Sequence, residues 1–287
     1  MVERTRGEAE NAALDAKLRA LEERIAEFES VAVALSGGID STLLLHVCRR
    51  VLGPERVLAV TSTSVTTPAP DLADAGEAAS STGVEHLHIE THELEIPEYS
   101  ENSPSRCYFC KDELYSRVLE TAKSRGIAVA VDGANVDDEG DHRPGMKAAA
   151  EQGIVSPLRE AGLTKDDVRA LAKRFDVPIW DKPASACLSS RFPYGTRIER
   201  EDVERVGAAE AVLRELGFVG GRVRHHGDTA RIEIAPERIA ALADPAVREA
   251  VVAGLKTLGY KYVSLDLEGY RSGSLNEVLP KTQAFDA

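Results

Sequence analysis

The sequence predicts a doubly wound α/β domain built on a parallel sheet, followed by a small α+β domain. Over the first part of the chain, short apolar runs alternate with stretches of helical periodicity, which is typical of parallel strands joined by crossover helices. From residue 199 the order changes to helix, hairpin, helix and strand. The chain has 287 residues, 43% of them hydrophobic, so it can bury two cores. We place the domains at 1–195 and 196–287.

The first predicted element is an amphipathic helix over 11–30, which we expect to pack against the sheet or a neighbouring subunit. A buried strand from Val31 follows, then a Ser-Gly-Gly turn, then a helix opening at Asp40 or Ser41. At such a turn the first helical N–H groups have no partner, and the helix dipole favours an anion. The turn therefore predicts a phosphate site.

Each residue of this turn suits phosphate binding. Gly37 and Gly38 have no side chains to keep a phosphate from the backbone, and Ser36 and Ser41 add hydroxyl donors. Asp40 offers a carboxylate oxygen of the kind that holds magnesium beside phosphate.

Further strands are predicted at 57–65, 85–92, 127–131 and 154–158, and a helix with a capping box of Thr164 and Asp167 follows. Asp132 and Gly133 end the fourth strand, at the sheet edge where the nucleotide is expected. The acidic residues after them, Asp137, Asp138 and Asp141, could hold magnesium or form a solvated loop.

The four cysteines are too few for a disulfide scaffold. Cys107 and Cys110 lie one helical turn apart at the start of a predicted helix, a spacing compatible with zinc, an iron–sulfur cluster, a redox dithiol or chance. Cys187 lies in the irregular segment 181–195, close to Ser190 and Arg191. Loops dense in such side chains are often sites. Cys48 is predicted to be a core residue.

In the second domain we predict a helix over 199–216, a hairpin over 222–234 turning at Gly227, a helix over 236–258 and a strand over 260–267. Arg222 and Arg224 share one face of a strand, and Arg271 could join them. Arginine suits bidentate phosphate binding, although a solvated strand face is the alternative.

A net charge of -13 repels polyanions, so a small-molecule substrate is favoured over nucleic acid. No apolar run approaches membrane-spanning length, and the first residues carry no apolar signal core. We expect a cytoplasmic protein without a membrane partner.

The segment SGGIDS resembles the PP-loop of the ATP pyrophosphatase superfamily, whose members cleave ATP between its α and β phosphates and transfer AMP to a substrate oxygen. With DGANVDDEGDHRPG, DKPASACLSSRFPYG, RVRHHGDTARIEI and YVSLDLEGYRSG, it resembles the LarE family over nearly the whole chain. The resemblance implies an adenine nucleotide alpha hydrolase-like PP-loop domain, ATP and Mg²⁺ as ligands, and a homo-oligomer. It also implies sulfur transfer to the carboxylate of a pyridinium dicarboxylate mononucleotide in nickel-pincer nucleotide biosynthesis.

Within this family, one type gives up a cysteine sulfur of its own, at the position that aligns with Ala186 here. The other type holds a 4Fe-4S cluster on three cysteines, which match Cys107, Cys110 and Cys187, and takes sulfide from an external donor at the open iron. The resemblance favours the cluster type. It implies that the substrate is bound by Ser190, Arg191, Arg222, Arg224 and Arg271, with its phosphate on the last three. The alternatives are a PP-loop tRNA thiolation enzyme with a 4Fe-4S cluster, or a sacrificial enzyme that uses Cys187.

Overall fold

The computed structural model describes residues 2–140, 144–182, 185–271 and 273–278, with side chains for 11–138, 144–182, 185–271 and 273–278. The chain divides into two compact units. The first unit comprises Met1–Ser64, Pro70–Thr91 and Cys107–Ser185, and the second comprises Val65–Ala69, His92–Arg106 and Ala186–Ala287. The functional division at 195 and 196 stays a prediction.

The helices and strands, in chain order, are α1 (Val2–Ala26), β1 (Val31–Ala34), α2 (Ile39–Leu52), β2 (Val57–Thr63), α3 (Ala69–Thr82), β3 (Glu85–Glu90), α4 (Pro97–Ser100), α5 (Arg106–Ser124), β4 (Val129–Val131), α6 (Pro144–Glu151), α7 (Pro157–Glu160), α8 (Lys165–Arg174), α9 (Arg200–Glu215), β5 (Arg222–His226), β6 (Thr229–Glu233), α10 (Ile239–Leu242), α11 (Pro245–Thr257) and β7 (Tyr262–Leu265).

The sheet of the first unit is parallel and has the order β3-β2-β1-β4. The chain runs from β1 outward to β3 and then returns to the other side of β1, so the winding reverses between β1 and β4. Parallel doubly wound sheets bind ligands beyond the carboxyl ends of the strands at such a reversal. The predicted α/β fold class is confirmed, and the turn after β1 and the residues after β4 lie at that place.

The predicted strand over 154–158 is wrong. Only Val155 pairs there, as an isolated parallel bridge to Val131. Pro157 follows two residues later and begins α7. Proline has no N–H for a sheet ladder, and its fixed φ suits the first turn of a helix.

Helices cover both faces of this sheet. Val31 and Val33 contribute to one core with apolar residues of α1, α2 and α8, while Ala32 between them contributes to a second core with Tyr115 and Val118 of α5. Successive side chains of a strand point to opposite faces, so a four-residue strand can serve two cores. Burial of each valine contributes roughly 1.5–3 kcal/mol, and β1 is held in place from both sides.

The second unit has its own core and a three-stranded sheet of order β5-β6-β7. The hairpin is confirmed, because β5 and β6 are antiparallel and pair His226 with Thr229. β7 pairs parallel to β6, so the sheet of this small α+β unit is mixed. The helix predicted over 236–258 is interrupted, since the Asp244 side chain accepts hydrogen bonds from the N–H groups of Ala246 and Val247 and starts a new helix.

No helix in the described part of the chain is both long and apolar enough to cross a membrane.

Candidate active site

The Ser-Gly-Gly turn after β1 is held by its own hydroxyl groups. Ser36 N–H donates to Ser41 Oγ (3.2 Å), Gly38 N–H donates to Ser36 Oγ (3.3 Å), and the Ser41 hydroxyl donates to the Gly38 carbonyl (3.1 Å). Gly38 is the N-cap of α2 and has no side chain with which to cap it. The positive end of α2 therefore faces the turn without a side-chain acceptor from its N-cap, as a phosphate site requires.

Two glycines at this turn are required by close packing. Gly37 has a φ of +73°, and a Cβ atom on it would lie 2.0 Å from the Asp71 carbonyl oxygen of α3. A Cβ atom on Gly133, beyond β4, would lie 2.7 Å from the backbone nitrogen of Ser41. Real Cβ contacts are never so short, so these glycines let α3 and the segment after β4 press against the turn.

Asp40, the predicted magnesium ligand, already has two polar partners in the first unit. Its Oδ1 accepts from Asn135 Nδ2 at 3.1 Å, and its Oδ2 pairs with the ammonium of Lys165. Both side chains of the ion pair are about a quarter exposed, at 22% for Asp40 and 25% for Lys165. The carboxylate is thus oriented by an amide and balanced by a cation that solvent can reach.

The acidic residues after β4 have structural partners. Asp132 accepts from Ser156 Oγ at 2.7 Å, from Tyr115 OH at 2.7 Å and from its neighbour Ala134 N–H at 3.2 Å. Burial, together with the Asp132 carboxylate, raises the pKa of Tyr115 well above its ordinary value, so the phenol stays a donor. Asp132 thereby braces the carboxyl end of β4.

The other candidates for magnesium in this loop bind backbone. Asp137 accepts from Lys165 N–H at 2.7 Å, and Asp138 accepts from Asn135 N–H at 2.9 Å. Asp141 lies outside the described residues.

Lys182, which the sequence argument did not single out, connects the turn to α3. Its ammonium donates to the Gly37 carbonyl (3.0 Å) and to Asp71 (2.7 Å), and it also pairs with Asp74. Burial opposes its charge, but the two carboxylates outweigh burial and raise the pKa of Lys182. Ser185 adds a hydrogen bond to Asp71 at 2.6 Å. Lys182 therefore contacts both the turn and α3, and Ser185 contacts α3.

The four cysteines differ in environment. Cys107 is exposed, Cys110 and Cys187 are partly buried, and none forms a disulfide. Cys107 and Cys110 are the second and fifth residues of α5 in the first unit, whereas Cys187 belongs to the second unit. Cys48 is fully buried in α2, and burial raises the pKa of its thiol, as predicted for a core residue. Among the described residues, no three histidine, cysteine or acidic side chains group closely enough to hold a metal ion.

Arg191, predicted to bind substrate, is buried at 2% exposure and forms a bidentate ion pair with Glu210 (2.7 and 3.0 Å). It also donates to the carbonyls of Ala186 and Cys187 and to Ser190 Oγ, at 2.9, 3.1 and 2.6 Å. These contacts make Arg191 the centre of the loop that carries Cys187.

Arg224 and Arg222 share a strand face, as predicted from their spacing, but their partners differ. Arg224 is bound by Glu233 (2.8 and 2.6 Å) and donates to the Ser190 carbonyl (2.7 Å). Arg222 donates to the Gly221 carbonyl at 3.3 Å and lies over the Tyr270 ring at 5.4 Å.

Charge balance distinguishes Arg222. Arg191 and Arg224 are matched by Glu210 and Glu233, and the structure gives Arg222 no carboxylate partner within 4.0 Å in the described part of the chain. Burial, together with the nearby Arg191 charge, lowers the pKa of Arg222. A bound anion stabilises the charged form of a half-buried cation that lies beside other cations. Arg222 is therefore the arginine best suited to bind one.

Arg271 lies in a different setting. It is 40% exposed on its side chain and pairs with Glu268 at 2.9 Å and with Glu277. This is a surface ion pair of small energetic value.

Some of the residues that sequence reasoning missed do have a signal in the sequence. Lys165 follows the N-cap Thr164 directly, and a cation is disfavoured at that end of a helix unless a carboxylate compensates. Glu233 falls on the face of Arg222 and Arg224 once the hairpin register is set. Glu210, in contrast, comes from a separate helix and has no local signal.

The chain is similar in sequence to several known proteins. A family model described as NAD synthase matches residues 14–126. A pyridinium-3,5-bisthiocarboxylic acid mononucleotide synthase of Lactiplantibacillus plantarum is 40% identical over 272 residues, which cover 95% of this chain and 98% of the relative. An uncharacterized protein of Synechocystis is 42% identical over 93% of this chain and 100% of its own. A tRNA-specific 2-thiouridylase of Azorhizobium caulinodans is 28% identical over 82% of this chain and 72% of its own.

The match to the synthase covers nearly the full length of both chains. Together with the NAD synthase match over residues 14–126, it shows that this chain belongs to the LarE family of ATP-dependent sulfur transferases, within the PP-loop ATP pyrophosphatase superfamily.

Proposed function

We propose that this protein adenylates a carboxylate of a pyridinium dicarboxylate mononucleotide with ATP and converts it to a thiocarboxylate, in nickel-pincer nucleotide biosynthesis. The observation that carries the proposal is the 40% identity, along nearly the full length of both chains, to a synthase whose product is a pyridinium bisthiocarboxylic acid mononucleotide. A substrate carboxylate must be activated first, because oxide is a poor leaving group and AMP is a good one.

The phosphates of ATP are assigned to the turn of Ser36 to Ser41. The N–H groups at the start of α2 face this turn, and the ammonium of Lys182 donates to the carbonyl of Gly37 within it. Asp40 would hold Mg²⁺, with Asn135 fixing one carboxylate oxygen and the cation replacing Lys165 at the other. Attack of the substrate carboxylate on the α-phosphorus then releases pyrophosphate and leaves the acyl adenylate.

The phosphate of the mononucleotide is assigned to the hairpin arginines. Arg222 supplies the unmatched charge, and Arg224 and Ser190 supply neighbouring donors that are held by Glu233 and Arg191. Arg191 acts by shaping the loop rather than by contacting substrate. Arg271 would join the phosphate only by leaving Glu268 and Glu277.

The sulfur site is assigned to Cys107, Cys110 and Cys187 as ligands of a 4Fe-4S cluster. The three side chains have the donor chemistry of the group, since all are thiols outside disulfides and each is at least partly exposed, but the described structure does not group them as a metal site. When bound, the cluster supplies an open iron site for hydrosulfide from an external donor. The positive end of α5 favours the thiolate form of Cys107 and Cys110.

The experiment measures pyrophosphate release from ATP on addition of pyridinium-3,5-dicarboxylic acid mononucleotide and sulfide, with the product identified by mass spectrometry after anaerobic reconstitution with iron. We expect a product in which sulfur replaces oxygen and a chain of unchanged mass. Alanine variants of Cys107, Cys110 and Cys187 should each lose iron and sulfur transfer but keep ATP binding. Cys48→Ala is the matched control and should change only stability.

Two outcomes would contradict this assignment. Loss of the mass of one hydrogen sulfide from the chain, with iron-independent activity, would show that Cys187 is sacrificed. Thiolation of tRNA under the same conditions, with no reaction of the mononucleotide, would indicate a tRNA thiolation enzyme. A homo-oligomer remains part of the proposal and is tested by light scattering.

A further inference from the structure

Lys182 holds the carbonyl of Gly37 within the first unit. A lysine ammonium has three N–H donors, and the structure gives that of Lys182 three acceptors: the Gly37 carbonyl oxygen at 3.0 Å, Asp71 Oδ1 at 2.7 Å and Asp74 Oδ2. Its side chain is only 18% exposed. Because all three donors are engaged, Lys182 has none left for a phosphate oxygen, and it can act on ATP only through the turn.

The peptide between Gly37 and Gly38 can adopt two orientations. The carbonyl and the N–H of a trans peptide point in opposite directions, so a half-turn of this peptide exchanges their places. Neither glycine has a Cβ atom to resist that rotation, and Gly37 already lies at a φ of +73°. The local chain therefore leaves the orientation open, and the partner of the carbonyl decides it.

In the structure the Gly37 carbonyl faces Lys182, so the Gly38 N–H lies on the opposite side of the peptide. This N–H is 3.3 Å from Ser36 Oγ, which is near the upper limit for a hydrogen bond, and it can therefore turn to a stronger acceptor. Gly38 is also the N-cap of α2, next to the N–H groups that lack intrahelical partners and favour an anion. The opposite orientation would put a carbonyl oxygen, with its partial negative charge, in the place of this donor.

Asp71 and Asp74 of α3 fix the ammonium in place. They pair with Lys182 at side-chain exposures of 11% and 26%. Burial lowers the pKa of Lys182, but the two carboxylates raise it by more, so the ammonium stays charged. α3 also contacts the turn directly, since a Cβ atom on Gly37 would lie 2.0 Å from the Asp71 carbonyl oxygen. The lysine is thus held against the peptide that it orients.

We propose that Lys182 is a positioning residue for ATP: it keeps the Gly37 carbonyl turned toward α3 and so presents the Gly38 N–H to a phosphate oxygen. The inference rests on the proposed function, in which the phosphates of ATP bind the turn of Ser36 to Ser41. Lys182 touches neither the nucleotide nor the substrate carboxylate, and its effect reaches ATP through one peptide group.

The test measures the Kd of MgATP by isothermal titration calorimetry and the Tm without nucleotide, for wild type, Lys182→Met and the double variant Lys182→Met with Asp71→Asn. The single variant leaves Asp71 buried without its cation, which lowers stability. The double variant removes that carboxylate and has the net charge of wild type, so neither an unpaired charge nor added repulsion of ATP can explain its behaviour. Lys123→Met, a change at an exposed lysine of α5, is the matched control.

We expect the Kd of MgATP to rise roughly tenfold in both Lys182 variants, as for the loss of one hydrogen bond to a charged acceptor. The Tm should fall in the single variant and recover in the double variant, while the Kd stays raised. A purely structural lysine would not separate these two measurements. The double variant also keeps the experiment informative if Lys182→Met alone fails to fold.

A Kd within twofold of wild type in either Lys182 variant would overturn the inference while the assignment of ATP to the turn stands. A Kd that follows the Tm from one variant to the next would show a structural role and overturn it as well. Absence of MgATP binding by the wild-type protein would overturn the assignment of ATP to the turn, and this inference with it.

Discussion

The sequence predicts the same role for Arg191 and Arg222, but the structure predicts that substitution of Arg191 affects stability and that substitution of Arg222 affects substrate binding. Arg191→Met removes the partner of Glu210, a carboxylate in a residue of 8% exposure, and also three hydrogen bonds to the Cys187 loop. Arg222→Met removes a weak backbone contact and a cation–π contact. We expect the first change to act on stability and the second on binding of the substrate phosphate.

The magnitudes follow from burial. Removing one partner of a buried ion pair costs about 3–5 kcal/mol, because the other charge stays buried and unpaired. For a chain of this size that lowers Tm by roughly 6–20 °C. The Arg222 change should cost about 1 kcal/mol in stability, while loss of a charged bidentate partner for phosphate weakens substrate binding by about 2–5 kcal/mol.

The assays are thermal unfolding followed by circular dichroism, and KM for the mononucleotide and for ATP. A double variant, Arg191→Met with Glu210→Gln, is the matched control. The glutamine amide that replaces the Glu210 carboxylate carries no charge, and its oxygen can still accept from Val223 N–H, which lies 3.1 Å from that carboxylate in wild type. The double variant should therefore recover part of the stability that Arg191→Met loses. A Tm within 1–2 °C of wild type for Arg191→Met, together with a raised KM for the mononucleotide, would refute the reasoning.

Three further predictions concern the first unit and pH. Asp40→Asn should raise KM for MgATP at least tenfold by removing a charged magnesium ligand. It should cost about 1 kcal/mol or less in stability, because the ion pair of Asp40 with Lys165 is partly exposed. Equal ATP-dependent thermal shifts in the variant and in wild type would contradict the assignment of Asp40 to magnesium. Gly133→Ala should destabilise the fold by about 1–3 kcal/mol and weaken ATP binding, because its Cβ would lie 2.7 Å from the backbone nitrogen of Ser41. Gly76→Ala, in α3 with open space around it, is the control and should stabilise the fold by about 0.5–1 kcal/mol. The denaturant midpoint should fall for the first variant and rise for the second. Burial lowers the pKa of His225 and His226 below the ordinary value of 6.5, so the unfolded chain binds more protons than the folded chain just below pH 6.5. The free energy of unfolding should therefore be highest above that pH and should fall with acidification. His225→Gln should reduce the slope of Tm against pH between pH 7 and 5, and an unchanged slope would exclude His225 as a source of the pH dependence.

The sequence alone determined the features that depend on neighbours in the chain. The apolar run of β1, the glycine turn and the start of α2 lie within a few residues of one another, so their structure follows from local rules. The same holds for the Thr164 capping box and for the hairpin at Gly227, which are confirmed. The cysteine motif was likewise placed at the start of a helix, and α5 begins at Arg106.

The partners of these residues were decided by the tertiary structure. Lys165 reaches Asp40 across 125 positions, and Lys182 reaches the Gly37 carbonyl across 145. Asn102 meets Pro193 across 91. No periodicity encodes such contacts, because they depend on which loops the sheet order brings to one edge. For the same reason, spacing could place Arg222 and Arg224 on one face, but only folding decided that Glu233 pairs with Arg224 and that Arg222 has no carboxylate partner within 4.0 Å among the described residues.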